Sequence, residues 1–261
     1  MNLINNINRH LFTQVNVDSG SLSILSAVIH RFAQPGEYEG IVMKGPIKTQ
    51  RFTVTVVEDN NIISSSSQAA AATNTNAAAA EQIKVDLKDT ASDRFTLRRG
   101  GYGVFYVSTG PGGYVVEIRK YEKGSQVKVF DSSELKEDDI FSTTIIRPGT
   151  YSVTNTLNNA KAELMVNYPE IGKTQRNPQP IKIECTAQNQ INPNRIRIDP
   201  SQGLVFTSKT PFRIKIELTK PEDRPSRLAR KEGTLAQRIA QQKGQEKKII
   251  RRYRLMPSGG S

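Results

Sequence analysis

The chain has 261 residues, 36% of them hydrophobic and none tryptophan, with 37 Lys/Arg against 25 Asp/Glu for a formal net charge of +12. That length suits two modest domains plus connecting and terminal segments, and the basic balance favours polyanionic partners: nucleic acid, an anionic membrane surface or an acidic protein face. A single cysteine, Cys185, excludes an internal disulfide and a Cys-based zinc site.

The opening MNLINNINRHLFTQVNV lacks an apolar core region and a small-residue cleavage site, so it does not read as a cleavable secretory signal. No run approaches the ~18 apolar residues of a membrane-spanning helix. The expected location is therefore the cytoplasm or a particle assembled there. From about Leu11 to Val57 the pattern is β. Leu22, Ile24 and Ala27–Ile29 suit one half-buried strand and Ile41–Met43 a second, and Phe52, Val54 and Val56 alternate with period two. Between them Pro35-Gly36-Glu37-Tyr38 signals a tight turn.

Residues 64–80, SSSSQAAAATNTNAAAA, hold no large apolar side chain and read as a linker. The expected partition is an N-terminal β-rich domain with a short arm (1–60), a Ser/Ala-rich linker (61–81), a β-sandwich region (82–220, divisible into 82–170 and 178–220) and a basic tail (221–261). Strand signals resume at Gln82–Leu87, Phe95–Arg98, Tyr102–Thr109, Tyr114–Tyr121 and Gln126–Phe130. They continue at Ile140–Ile146, Tyr151–Asn155, Ala162–Asn167, Pro180–Cys185, Arg195–Ile198, Leu204–Thr207 and Phe212–Leu218. No long helical crossover lies between them, so the expected fold class is all-β, as tandem antiparallel sandwiches of an immunoglobulin-like or cupredoxin-like kind. Pro148-Gly149-Thr150-Tyr151 repeats the earlier Pro-Gly-x-Tyr turn ahead of an alternating strand, as though one hairpin were used twice.

Phe141–Asn155, FSTTIIRPGTYSVTN, resembles the closing strand of cupredoxin-like domains, and Pro180–Leu218 resembles their opening strands. The resemblance implies a sandwich topology. A blue-copper centre needs a thiolate and two imidazoles. The position matching the cysteine ligand is Asn155, no histidine follows it, and His10 and His30 both precede the linker, so no metal or other cofactor is expected.

Cys185 reads as a small core residue. With two histidines in the chain a nucleophile–base–acid triad has little to draw on, and His30, inside an apolar strand, reads as a packed or interface residue. Glu134, Glu137, Asp138 and Asp139 read as a solvated turn. The glycines of 100–113 lack the Gly-Lys-Ser/Thr of a phosphate loop and read as hairpin turns. The aromatics Tyr102, Phe105, Tyr106, Tyr114 and Tyr121 alternate with Arg98, Arg99, Arg119 and Lys120; on one sheet face such side chains could stack bases, while alternation predicts that half of them fill the core.

The tail changes character. Residues 221–261 carry eleven Lys/Arg against four Asp/Glu. Thr234–Gln237 fits a helix capping box, and two apolar patches are set among the charges. The expected partner-binding residues are Arg227, Arg230, Lys231, Leu235, Arg238, Ile239, Lys243, Lys247, Lys248, Ile249, Ile250, Arg251, Arg252, Tyr253 and Arg254. This helix-capable arm points to a non-enzymatic structural or adaptor subunit of a multicomponent assembly, such as a virion or similar particle. Its expected partners are other protein subunits with an acidic surface, with homo-oligomers among the options. Nucleic-acid binding or peripheral membrane attachment through the tail are the alternatives.

Overall fold

The computed structural model describes residues 13–58, 81–89, 93–122, 124–167 and 178–222. The chain divides into a unit spanning Met1–Pro221 and a second, Glu222–Ser261; the fold below is that of the first. Alternating apolar and polar residues give each described segment one face to bury, and turn residues end each run, so strands form throughout the described residues. The first half contributes β1 (Asn16–Asp18), β2 (Ser26–Arg31), β3 (Gly36–Lys44), β4 (Ile47–Val57), β5 (Gln82–Asp86), β6 (Arg94–Arg98), β7 (Tyr102–Tyr106) and β8 (Tyr114–Glu122). The second contributes β9 (Ser125–Asp131), β10 (Ile140–Thr144), β11 (Gly149–Asn155), β12 (Ala160–Val166), β13 (Ile181–Cys185), β14 (Ile191–Asn192), β15 (Arg195–Ile198), β16 (Gly203–Ser208) and β17 (Ile214–Pro221).

Three sheets result. A seven-stranded sheet runs β14-β13-β16-β10-β2-β7-β5, and two five-stranded sheets run β6-β4-β3-β8-β9 and β15-β12-β11-β17-β1. The all-β expectation holds, but the expectation of purely antiparallel sheets does not. The pairs β4–β6, β5–β7, β12–β15 and β13–β16 are parallel. Among the described residues no helix makes those crossovers: β5 lies between β4 and β6 in sequence and sits in the opposite sheet, and a strand crossing to the other layer does the work of a helix.

The expected partition at 61–81 is also not the one the strands follow. Strands on either side of it share sheets, β2 with β7 and β10, β3 with β8, and β4 with β6. Hydrogen-bond ladders between early and late strands tie the body together where a linker between separate domains was expected.

What the sheets reveal instead is an internal duplication. The two five-stranded orders superimpose strand for strand, with β6, β4, β3, β8 and β9 matching β15, β12, β11, β17 and β1. In the seven-stranded sheet β5, β7 and β2 match β13, β16 and β10 about an approximate two-fold axis. The axis passes through Val28 and Phe141, which are paired in register and are each other's counterparts. The local chemistry repeats as well. Tyr38 donates its hydroxyl to the Gln34 carbonyl at 2.7 Å, and Tyr151 donates to the Arg147 carbonyl at 2.7 Å, so the echoed hairpin is one structure used twice. Gly36 and Gly149 precede the tyrosines at φ 138° and 150°. A Cβ on Gly149 would stand 2.6 Å from the Lys220 carbonyl oxygen, so glycine is required there.

Leu22 and Leu135 make matching bridges to Tyr114 and Phe212, and Leu25 and Asp138 share a positive φ of 66° and 70°. In sequence the match survives only as fragments: Gln82-IKVD-Leu87 against Pro180-IKIE-Cys185, and Val17-DSGS-Leu22 against Phe130-DSSE-Leu135. Each repeat lends its opening strand to the other's sheet. β9 closes the sheet of the first repeat beside β8, and β1 closes the sheet of the second beside β17. Part of the expected N-terminal arm is therefore a strand of the body.

The core lies between the seven-stranded sheet and the two smaller ones. Phe105 stacks on Phe130 at 5.7 Å and lies 5.9 Å from Phe52, while Phe141 meets Phe206 at 5.7 Å. Each such ring removed from water contributes about 1.5–3 kcal/mol. Residues opposite each other on antiparallel strands point to one side, so Val28 and Phe141 both face inward and the two halves of the core share one face of the long sheet.

Candidate interaction site

The tail residues expected to bind a partner, Arg227 through Arg254, lie outside the described residues. The body leaves most of the net charge to them. The described residues carry 22 Lys/Arg against 20 Asp/Glu, whereas residues 223–261 carry eleven against three. Within the body several cations pair with carboxylates, Arg51 with Glu39, Arg98 with Glu81, Arg99 with Glu58 and Arg213 with Asp18. The Asp18–Arg213 pair is two-pronged, at 3.0 and 2.8 Å, and pins β1 to β17. Leu218 N–H donates to the Val15 carbonyl at 2.8 Å, so the first and last described strands lie side by side in one sheet.

The second feature is the outward face of the seven-stranded sheet. Burial alternates along β2, β7, β10 and β16, which turn Val28, Phe105, Phe141 and Phe206 inward. Their half-buried residues point the other way: Ala27 and Ile29 on β2, Val104 and Tyr106 on β7, Ile140 on β10 and Val205 on β16. None of these belongs to the buried core, and no other described strand forms a layer over them. Beside this apolar strip, where the two repeats meet, lies an open cleft of about 310 Å³ lined by Arg31, Tyr102, Asp139, Ile140, Glu184 and Lys209 among others.

His30 and Asp139 fasten that end of the seam. Their Nδ1 and Oδ1 atoms are 2.7 Å apart, Asp139 also accepts the Lys136 N–H at 2.8 Å, and the imidazole lies against Phe32 and Phe130. At the symmetry-related end the same positions hold Ser26, whose hydroxyl donates to the Ser23 carbonyl, and Thr143, whose hydroxyl donates across the repeats to the Leu25 carbonyl. Packing of His30 agrees with the sequence reading. The solvated turn needs correcting, because Asp139 is 4% exposed. Its burial was hidden in the sequence because its partner lies a repeat away.

Gly100, Gly110 and Gly113 take positive φ in connecting turns. Phe105 and Tyr114 fill the core, Tyr102 and Tyr106 lie on the outward face, and Tyr121 is exposed. Among the described residues no group of three or more His, Cys, Asp or Glu could hold a metal ion, and no helix is long and apolar enough to cross a membrane.

No family model, curated protein or solved structure matches this chain. The roles of its residues rest on position and chemistry, as at Cys185. It is 1% exposed, and burial, with Glu184 nearby, pushes its thiol up to about 12. Thiolate, the reactive form, is absent at neutral pH. A thiol reagent at pH 8 should leave the folded chain untouched and label it once denatured, and rapid native labelling would contradict this placement. The same shift sets a sign for stability. The unfolded thiol ionises near 9.0 and the folded one near 12, so its contribution is complete below pH 9 and is lost as pH rises towards 12. Replacing Cys185 with alanine should lessen the alkaline loss, as read from denaturation midpoints at pH 8 and at higher pH.

Proposed function

We propose that this chain is a non-enzymatic structural or adaptor subunit of a multicomponent assembly, such as a virion or similar particle, and that its basic C-terminal tail docks on the acidic face of a neighbouring protein subunit. The observation that carries this reading is the charge partition. The described body is nearly neutral, while the segment from Asp223 onward concentrates positive charge around short apolar patches. Such a segment supplies steering to a polyanionic surface, and its apolar residues supply contact area once there.

The test is carbodiimide crosslinking, which joins lysine directly to carboxylates, applied in cells that make the native partners to the full chain and to a chain ending at Glu222. The expected result is links from Lys231, Lys243, Lys247 or Lys248 to Asp and Glu of a partner subunit, lost on truncation and unaffected by nuclease. Nuclease-sensitive association, with affinity falling about 10³–10⁵-fold between 50 and 200 mM salt, would instead make the tail a nucleic-acid arm. An unchanged set of neighbours after truncation would remove the tail from the function.

A further inference from the structure

Independently of the tail, we propose that the outward face of the seven-stranded sheet is a docking surface for a second copy of this chain. A sheet needs a layer on each apolar face, and here only the inner face has one among the described residues. The outer face has the anatomy of a protein interface, with an apolar centre and a charged rim. At the centre Ile29 and Ile140 stand side by side in register, with Val104 next to Ile29 and Val205 next to Ser142.

Size and charge select the occupant. Seven strands at ~4.8 Å spacing, each about five residues at ~3.3 Å, give a face of roughly 550 Å². Two such faces bury about 1,100 Å², above the ~1,000 Å² a specific interface needs. The rim is self-complementary. The duplication puts Lys84 and Asp86 on β5 at one side and Lys182 and Glu184 on β13 at the other. A copy related by a two-fold axis can then set lysine against carboxylate at both margins, with the sheets packed ~10 Å apart as in a sandwich.

Sedimentation equilibrium of the full chain over a wide concentration range tests this, in about 0.5 M salt, where contacts made through the tail are screened. The expected result is a dimer that persists in salt and is weakened about 100-fold by Ile29→Arg or Ile140→Arg, since a buried arginine at an interface centre costs at least that much. Ile47→Arg, at an exposed hairpin tip, should leave the dimer unchanged. Circular dichroism should show all three variants folded, because these side chains lie outside the core. A chain that stays monomeric up to about 1 mM (Kd 1 mM being only ~4 kcal/mol), or a dimer indifferent to both outer-face substitutions, overturns the proposal. Neither result bears on the crosslinks of the tail, so the two readings fail separately.

Discussion

Replacing Phe141 with alanine should lower the stability of the whole body by about 3–5 kcal/mol, the usual range for removing a fully buried phenylalanine. Phe141 is 0% exposed, packs on Phe206, and pairs with Val28 across the axis that relates the two repeats. Two separately folding domains would respond with one transition shifted and one unmoved. A shared sheet requires a single transition, because unfolding either repeat strips β2 or β10 of its neighbour. Denaturant unfolding followed by native-state hydrogen exchange distinguishes these. Amides of β3–β4 and of β11–β12 should lose protection together and by the same free energy. Protection retained in β3–β4 while β11–β12 opens would mean that the seam between β2 and β10 is only a contact.

The sequence made the strands legible and left their arrangement hidden, and particular residues explain both. Period-two alternation in Phe52–Val56 or Ile140–Thr144 is a local signal, and every strand read from it is present. The Pro-Gly-x-Tyr echo was visible because a tyrosine bonding back four residues needs the same few residue types in both copies. Pairing is non-local. Nothing in Arg94–Arg98 announces that it runs parallel to β4, since the strand that carries the chain across looks like any other strand. The Ser/Ala-rich stretch looked like a boundary because composition reports what a segment cannot bury, and the strands it joins can still share a core. β1 was missed for a related reason. Asn16-Val17-Asp18 is too short to alternate, and its meaning depends on β9, which does the same job a repeat away. For the candidate site, alternation predicted that half of the aromatics would fill the core without showing which, and only the topology put Ile29 beside Ile140. The tail expectation lies outside the described residues.

The matched serines give the sharpest test of the duplication. Ser132 N–H donates to the Val116 carbonyl at 2.9 Å while its Oγ accepts the Val116 N–H at 3.0 Å; Ser19 N–H donates to the Ile214 carbonyl at 2.9 Å while its Oγ accepts the Ile214 N–H at 3.0 Å. Both serines are 0% exposed. Each hydroxyl satisfies a backbone donor that the sheet ladder leaves over where the crossing strand turns away. Removing it strands that N–H in the interior, a cost of about 1–3 kcal/mol. Ser132→Ala and Ser19→Ala should therefore destabilise by similar amounts. The double variant should lose the sum, about 2–6 kcal/mol, because the sites sit in different sheets and share no partner. Denaturation midpoints of the two single variants and the double measure this directly. A neutral Ser19→Ala beside a damaging Ser132→Ala would mean that β1 merely rests on the edge of β17. Equal losses would mean that the N-terminal strand is as integral to the second repeat as β9 is to the first.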